Sequence, residues 1–397
     1  GISSAIARAL GGGRRQDADA LVMHAILINV ALGLTFSILM LTFGRPLYTA
    51  MGGQGGSLDA AMLYSDVVFG GTVLVWLMNA LASVIRGTGN MFVPAMAICI
   101  GVVLLIPLSP ALIFGFGPIP AMGIQGGGLA VIVANVITGS VLGWYILSGR
   151  SVVRIHRAAL QRRMFYEILR VGAVGAVSTL QTSLTILLTT ALVGAAAGPD
   201  GVAGYGTGGR LEYLLIPLAF GFGGPMVALV GTNIGAGQPE RALRIALTGG
   251  ALVFLLTETI GLAAAIWPYA WLGLFGSDPK MLEIGADYLR AVGPAYGFFG
   301  LGLSLYFASQ GAGRLMWPLL AGLCRMLIAV AGGGLALHLT GSLHWLFGFL
   351  AAALIVYGMT LAVAVKSGVW FRGKLPVPGP RSTDASQRVG AEATARA

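Results

Sequence analysis

Charge is what this 397-residue chain has least of. Asp, Glu, Lys and Arg make up 10% of it, against the ~25% of a soluble globular protein. Acidic residues are the scarcer kind, 14 against 24 basic ones. The two cysteines, Cys99 and Cys324, each sit in an apolar run without ligand-spaced neighbours. That excludes a disulfide framework and a zinc site, and it predicts two core thiols. The four histidines, His24, His156, His338 and His344, have no spacing suited to a metal or a nucleophile triad, and no G-x-S-x-G, H-E-x-x-H or phosphate-binding lysine loop occurs. No catalytic residue, metal site or cofactor follows from such a pattern, and an enzyme is not expected. GYGTGG at 204–209 has the look of a nucleotide-binding loop, but it follows no strand and opens an apolar run. There its glycines serve close helix packing.

What is abundant decides the class. Hydrophobic residues make up 56% of the chain, and 62 glycines lie mostly within long apolar runs. Membrane helices that pack closely tolerate glycine in this way, whereas a disordered chain would place it in polar linkers. The chain is therefore expected to be an all-α integral membrane protein. A helix crossing ~30 Å of hydrocarbon needs ~20 apolar residues. Runs free of charge, split at Gly and Pro clusters, predict ten spans at 21–43, 63–85, 91–114, 123–147, 167–197, 203–232, 242–271, 281–309, 315–340 and 343–366. Met91 to Gly149 carries no charge at all, so GFGPIPAMG at 115–123 is expected to turn.

The basic residues orient these spans. Alternate loops and the C-terminal tail hold 19 of the 24 on one side, and the other side holds only Arg45 and Lys280. The first side is predicted to be cytoplasmic, with both chain ends there and the protein multi-pass in the cell inner membrane. The net charge of +10 is thus accounted for by topology, and nucleic acid is not an expected partner.

At a constant shift of 224 the chain matches itself. Gly11, Gly13 and Ala18 meet Gly235, Gly237 and Ala242; Gly52 and Tyr64 meet Gly276 and Tyr288; Gly87, Gly89 and Pro94 meet Gly311, Gly313 and Pro318. Six crossings separate equivalent points, so the copies run in the same direction. Two parallel six-helix bundles follow, related by a pseudo-two-fold axis along the membrane normal. The second copy opens with two spans whose counterparts would precede Gly1, apart from GISSAIARAL. The first bundle is therefore expected to lack about two N-terminal helices in this chain. The expected division is 1–149 for the N-terminal half, 150–166 for a basic cytoplasmic linker, 167–370 for the C-terminal half and 371–397 for a disordered tail.

Charges inside spans are the best functional clues, since each costs at least ~2.5 kcal/mol at the bilayer centre. Glu212 lies about ten residues into its span; it is a candidate for ion coupling, or one half of an ion pair. Arg210, two residues away, stands on a different helix face and is an imperfect local partner. Glu258 has no basic residue in its span and is either a proton site or a carboxyl bonded to a neighbouring helix. Asp66 and Arg290 occupy equivalent repeat positions with opposite charge and could face across the axis, although a local Asp287–Arg290 pair is the simpler expectation. Arg325 is expected to snorkel to the cytoplasmic surface or pair there. Asn79, Asn135 and Gln181 are candidate substrate contacts, or members of interhelical hydrogen bonds.

SSAIARALGGGRRQDA, ALVGTNIGAGQPERA, the paired loops RGTGNMFVP and QGAGRLMWP, and GRLEYLLIPLAFGFG together resemble the multidrug and toxic compound extrusion (MATE) family from Gly1 to about Lys366. The resemblance implies export of drugs or other amphipathic, cationic small molecules in exchange for H⁺ or Na⁺, through a central cavity that opens to each side of the lipid bilayer in turn. It implies no cofactor. NorM-like members carry a carboxylate in the seventh helix, where this chain has Gln181 and Thr182, and one in the tenth, where PAYGFFGLGLSLYF has none. DinF-like members use an Asp of the first helix. Only Arg210 and Glu212 match the family's eighth-helix motif. A lipid-linked oligosaccharide flippase of the wider superfamily, and a passive channel or scaffold, are the alternatives. A flippase calls for a strongly basic cavity, and the spans here contain only Arg210, Arg290 and Arg325.

Overall fold

A computed structural model describes residues 1–118, 120–156, 159–368 and 370. The expected tail at 371–397 lies outside them, as does Arg157. Helices dominate: α1 Ile2–Gly11, α2 Arg15–Ala50, α3 Gly55–Gly70, α4 Thr72–Gly87, α5 Phe92–Phe114, α6 Ile124–Leu147, α7 Arg162–Gly235, α8 Pro239–Ile266, α9 Pro268–Leu272, α10 Pro279–Val292, α11 Tyr296–Ala312, α12 Met316–Met326, α13 Gly333–Thr340 and α14 Leu343–Lys366. Each of the ten expected spans is helical.

The 74 residues of α7 form two spans. The backbone leaves helical geometry at Gly198, at φ 64° and ψ −158°, and Pro199 follows. Only glycine adopts that φ freely. Thr185 and Glu212 line one cavity, yet they would stand ~40 Å apart along a straight helix at 1.5 Å per residue. The chain therefore doubles back at Gly198, giving a first arm that starts at Arg162 and a second arm that ends at Gly235. The charge-free stretch between α5 and α6 turns where expected, with Met122 and Gly123 donating their N–H groups to Leu112 and Ile113 carbonyls at 3.0 Å.

Among the interrupted spans, two are broken at equivalent points. The run at 63–85 is α3 and α4, bent by 48° at Gly71. Adding the repeat shift gives Ala295, the end of the one-turn 3₁₀ segment Gly293–Ala295 that separates α10 from α11. Pro294 cannot donate a helical hydrogen bond there. Each break is held by the helix packed against it. In the first copy the Ser37 hydroxyl of α2 donates to the Phe69 carbonyl at 2.6 Å; in the second, Gly261 of α8 lies against the Gly293 carbonyl so closely that no Cβ fits between them. Gly261 is the repeat counterpart of Ser37. A third irregularity, the π-helical stretch Leu327–Gly332, joins α12 to α13.

The copies meet through reciprocal contacts between α1 and the end of α7. A Cβ on Gly11 would strike the backbone of Thr232, and one on Gly235 would strike the backbone of Arg8. Exchanging the copies at the shift of 224 takes Gly235 to Gly11 and Arg8 to Thr232, which turns the second contact into the first. Midway, Gly231 packs on the Ala7 methyl, and these two positions are themselves equivalent. A contact between a residue and its own repeat counterpart can lie only on the symmetry axis, so the axis runs through Ala7 and Gly231. Gly87 approaches the Ser3 carbonyl as Gly311 approaches that of Val227, which continues the same pattern outward. Turn glycines at equivalent sites also share left-handed backbone, Gly13 with Gly237 and Gly89 with Gly313.

Cys99 and Cys324 overturn the expectation of core thiols, since both are exposed. The outer face of a membrane helix is apolar because it meets lipid, so an apolar neighbourhood in sequence does not place a side chain inside. Phe43, Val103, Ile106 and Leu187 are exposed on spans for the same reason.

Gly117 and Gly341 are also one repeat apart, both with φ near +60° (60° and 67°), so they should lie at the same end of the bundle. In a variant with Cys99 and Cys324 replaced, single cysteines at Gly117 and Ser342 are expected to react with an impermeant thiol reagent applied outside sealed cells, and one at Arg157 is expected to stay unlabelled. Labelling at position 157 would overturn the orientation.

Candidate functional site

Five of the six spans of the second copy line two adjoining cavities. The larger, about 140 Å³, is lined by Ser178, Gln181 and Thr182 of the first arm of α7 and by Tyr306 of α11 and Tyr357 of α14. The smaller, about 30 Å³, is lined by Thr189, Tyr205, Glu212 and Tyr288. Thr185 and Arg325 line both. Arg325 of α12 donates from Nη2 to Glu212 Oε1 at 2.9 Å, and the two side chains are only 14% and 21% exposed. The same guanidinium lies over the Phe299 ring at 5.3 Å and the Tyr357 ring at 5.7 Å, where the ring faces attract a cation.

Ser178, Thr182, Thr185 and Thr189 recur at helical spacing on the first arm of α7. Thr182, Thr185 and Thr189 each donate to the carbonyl four residues back, which meets their hydroxyl protons locally and leaves oxygen lone pairs toward the cavity. Gln181 is buried, and its Nε2 is the one buried side-chain nitrogen or oxygen among the described residues that lacks a hydrogen-bond partner. Its amide presses on Gly322 of α12, so that a Cβ there would collide with it. Buried amides are nearly always satisfied, and this one keeps an unpaired donor at the wall of the larger cavity.

Several expectations change here. Glu212 pairs with Arg325 across helices and not with Arg210. Residues two apart point to opposite sides of a helix, and Arg210 accordingly faces outward and covers the Phe275 ring at 4.9 Å. Arg325 does not snorkel; its pairing with Glu212 draws it inward. Arg290 makes no ion pair with Asp287 or any other described acid and lies over the Tyr269 ring at 5.7 Å. Asp66 is exposed on α3 and, among the described residues, touches neither Arg290 nor another cation. Asn79 and Asn135 bond within their own helices, to the Val75 and Val131 carbonyls at 2.9 and 2.8 Å, and not across to neighbours. A carbonyl four residues back is always within reach of such a side chain, whereas a partner on another helix needs matching register.

Glu258 is half-buried and stands outside both cavities. Its Oε2 accepts from the Gly297 N–H at 2.7 Å, in the first turn of α11, where helical N–H groups have no partner of their own. A carboxylate at a helix N-terminus also complements the dipole. This is the expected alternative of a carboxyl bonded to a neighbouring helix, and it caps the second copy's helix break. In GYGTGG, Gly204 and Gly208 press on α10, as close packing requires. The residues that reasoning from sequence missed, Thr185, Thr189, Tyr205, Tyr288, Tyr306 and Tyr357, carry no charge to draw notice. The Ser and Thr periodicity on one face of the first arm was the available signal.

Ten helical spans in two pseudo-symmetric copies, with a cavity carrying a partly buried ion pair, are the architecture of a multi-pass membrane transporter. The sequence profile of the MatE family matches residues 1–111 and 174–335, and the chain belongs to that family of efflux transporters. It is 26% identical over 331 residues to a FAD transporter of Shewanella oneidensis, covering 83% of this chain and 73% of the relative. Against a probable multidrug resistance protein NorM of Thermotoga maritima the identity is 25% over 322 residues, 81% of this chain and 69% of the relative. The fold superposes on an outward-facing multidrug resistance MATE family transporter of the MOP superfamily with a TM-score of 0.87 at 22% identity, covering 94% of this chain and 84% of that one. A MOP superfamily transporter from Pyrococcus furiosus gives 0.86 at 21%, covering 94% and 84%.

Two substitutions separate capping from charge at Glu258. Glu258→Gln keeps an acceptor for the Gly297 N–H and should change thermal stability little, whereas Glu258→Leu should lose about 1–3 kcal/mol by orphaning that group. For the Glu212–Arg325 pair, a cycle of Glu212→Gln, Arg325→Gln and the double variant should show a favourable coupling of about 1–3 kcal/mol in thermal unfolding. Additive effects would mean that the pair is not formed.

Proposed function

We propose that the protein is a secondary antiporter that exports amphipathic or cationic small molecules in exchange for H⁺ or Na⁺ by alternating access, with Glu212 as the coupling carboxylate. The observation that carries this reading is the Glu212–Arg325 pair within a polar cavity. Glu212 has three possible partners: the Arg325 guanidinium, a coupling ion and a cationic substrate. A proton on Glu212 removes the charge that both cations seek, so its uptake releases substrate. Return of the carboxylate to Arg325 resets the site. Competition for one carboxylate makes the two occupancies exclusive, which is the requirement for exchange. The ten other hydroxyl- and amide-bearing lining groups accept varied shapes without adding charge, and the aromatic rings suit flat, amphipathic compounds. The same reading puts the protein in the cell inner membrane with its basic end cytoplasmic, as the distribution of its basic loops supports.

A second reading rests on which charge each cavity sees. The larger cavity is lined by Arg325 and not by Glu212, so an organic anion could take Arg325 from its carboxylate. The Shewanella relative named as a FAD transporter lends that reading weight.

One pair of variants distinguishes them. In proteoliposomes with an imposed pH gradient, Glu212→Gln in the full-length protein should slow efflux of a cationic dye about tenfold or more, ~1.4 kcal/mol of coupling, while insertion is unchanged and Glu258→Gln stays near the parent. Arg325→Gln should then bind the dye more tightly but exchange it poorly. Loss of flavin export in Arg325→Gln, with dye efflux intact in Glu212→Gln, would establish the anion reading in its place.

A further inference from the structure

Apart from the cavities described above, a cluster of charge lies at the basic end of the bundle. A cavity of about 320 Å³ there is lined by Arg8, Arg14, Arg163, Arg170 and Arg314, with Glu167 as its one acidic lining residue. Asp17, just outside, accepts from Arg14 and Arg163 at 3.0 Å each. Five guanidinium groups against these two carboxylates leave a local charge of +3. The other three arginines have no carboxylate within 4.0 Å among the described residues. Arg8 donates to the Ser4 hydroxyl and to the Gly311 carbonyl, the latter at 3.2 Å; Arg170 lies over the Tyr166 ring at 6.0 Å; Arg314 makes no ion pair among the described residues. Three underpaired guanidiniums around one concavity repel one another unless an anion lies between them.

The cavity is also a seam. Arg8 belongs to α1 and Arg14 precedes α2, both in the first copy; Arg163 and Arg170 open the first arm of α7, and Arg314 follows α11, all in the second. Ile234, at the end of α7 beside the symmetry axis, forms part of its wall. If the bundle opens toward its basic end, this seam must part.

We propose that the cavity binds a phosphate-bearing anion that bridges the two copies at their basic end and holds that end closed. Guanidinium forks match phosphate oxygens in pairs, and a phosphomonoester or diphosphate carries enough charge to engage arginines of both copies together. The same chemistry is available from the headgroup of an acidic phospholipid of the adjoining leaflet and from a soluble phosphate compound.

The test uses the full-length protein in detergent and in nanodiscs. Inorganic pyrophosphate titrated in detergent at fixed ionic strength, and nanodiscs of phosphatidylglycerol against phosphatidylcholine, should raise the thermal unfolding midpoint in at least one arm. A response to pyrophosphate alone assigns a soluble source, and a response to phosphatidylglycerol alone assigns the lipid. Arg170→Gln with Arg314→Gln should weaken the half-saturating concentration, or the lipid preference, by at least about tenfold. Arg241→Gln, a basic residue outside the cavity, should leave it unchanged. To tie binding to the closed seam, a cysteine at Ala312 should react more slowly with a soluble thiol reagent when the anion is present. Stabilisation no greater than that from sulfate at equal ionic strength, or stabilisation kept in full by the double arginine variant, would overturn the site.

Discussion

The crossing of α1 with the last turns of α7 is the contact on which the arrangement of the two copies depends. It is made backbone to backbone. Gly11 and Gly235 each lie where a side chain would penetrate the opposing chain, and Gly231 rests on Ala7 at the axis itself. Between apolar helices in lipid there is little hydrophobic drive to associate, so affinity comes from close van der Waals contact and hydrogen bonding. Small residues make that contact possible, and Ser4 adds hydrogen bonds to the Gln310 and Gly311 carbonyls across the seam. On the alternating-access reading, this crossing is the point about which the copies tilt. The repeat kept those glycines because geometry at an axis constrains both copies at once.

Away from the axis the copies have diverged, and the divergence marks where each part works. Arg325 corresponds to Gly101, which lies against the Thr138 hydroxyl in tight packing of α5 on α6. Where the second copy holds a charge over a cavity, the first holds two helices together. Glu258 likewise corresponds to Leu34, an exposed apolar residue.

The architecture was legible from the sequence because membrane insertion leaves a coarse signature: long charge-free runs, basic loops on alternate sides and a gap-free repeat of turn glycines. Helix breaks were less legible. Gly71 sits in an unremarkable apolar run, and its meaning came only from alignment with the Gly293–Ala295 break. The site was legible in part. Glu212 and Gln181 stood out as polar groups in apolar runs, and both line the cavities. Their partners did not, because pairing depends on which helices face each other, and Glu212 and Arg325 are 113 residues apart. Local spacing favoured Asp287 for Arg290 and offered only the imperfect Arg210 for Glu212; an aromatic face took Arg290 and a distant guanidinium took Glu212.

Glu258 and Glu212 show why intramembrane carboxylates need to be separated by their partners. Both lie in long apolar spans, and both have the cost of burial to offset. Glu258 meets it with a backbone N–H at a helix terminus, a group that exists in every state in which the break exists. A carboxylate so held is bound to the architecture and has no alternative occupant. Glu212 meets it with a guanidinium on another helix, joined to a π-helical stretch beginning two residues after Arg325. Such stretches carry one residue too many for regular α-helical bonding and shift with modest rearrangement. On the reading proposed above, the pair separates and re-forms as α12 moves, and a carboxylate whose partner leaves is one that another cation can claim.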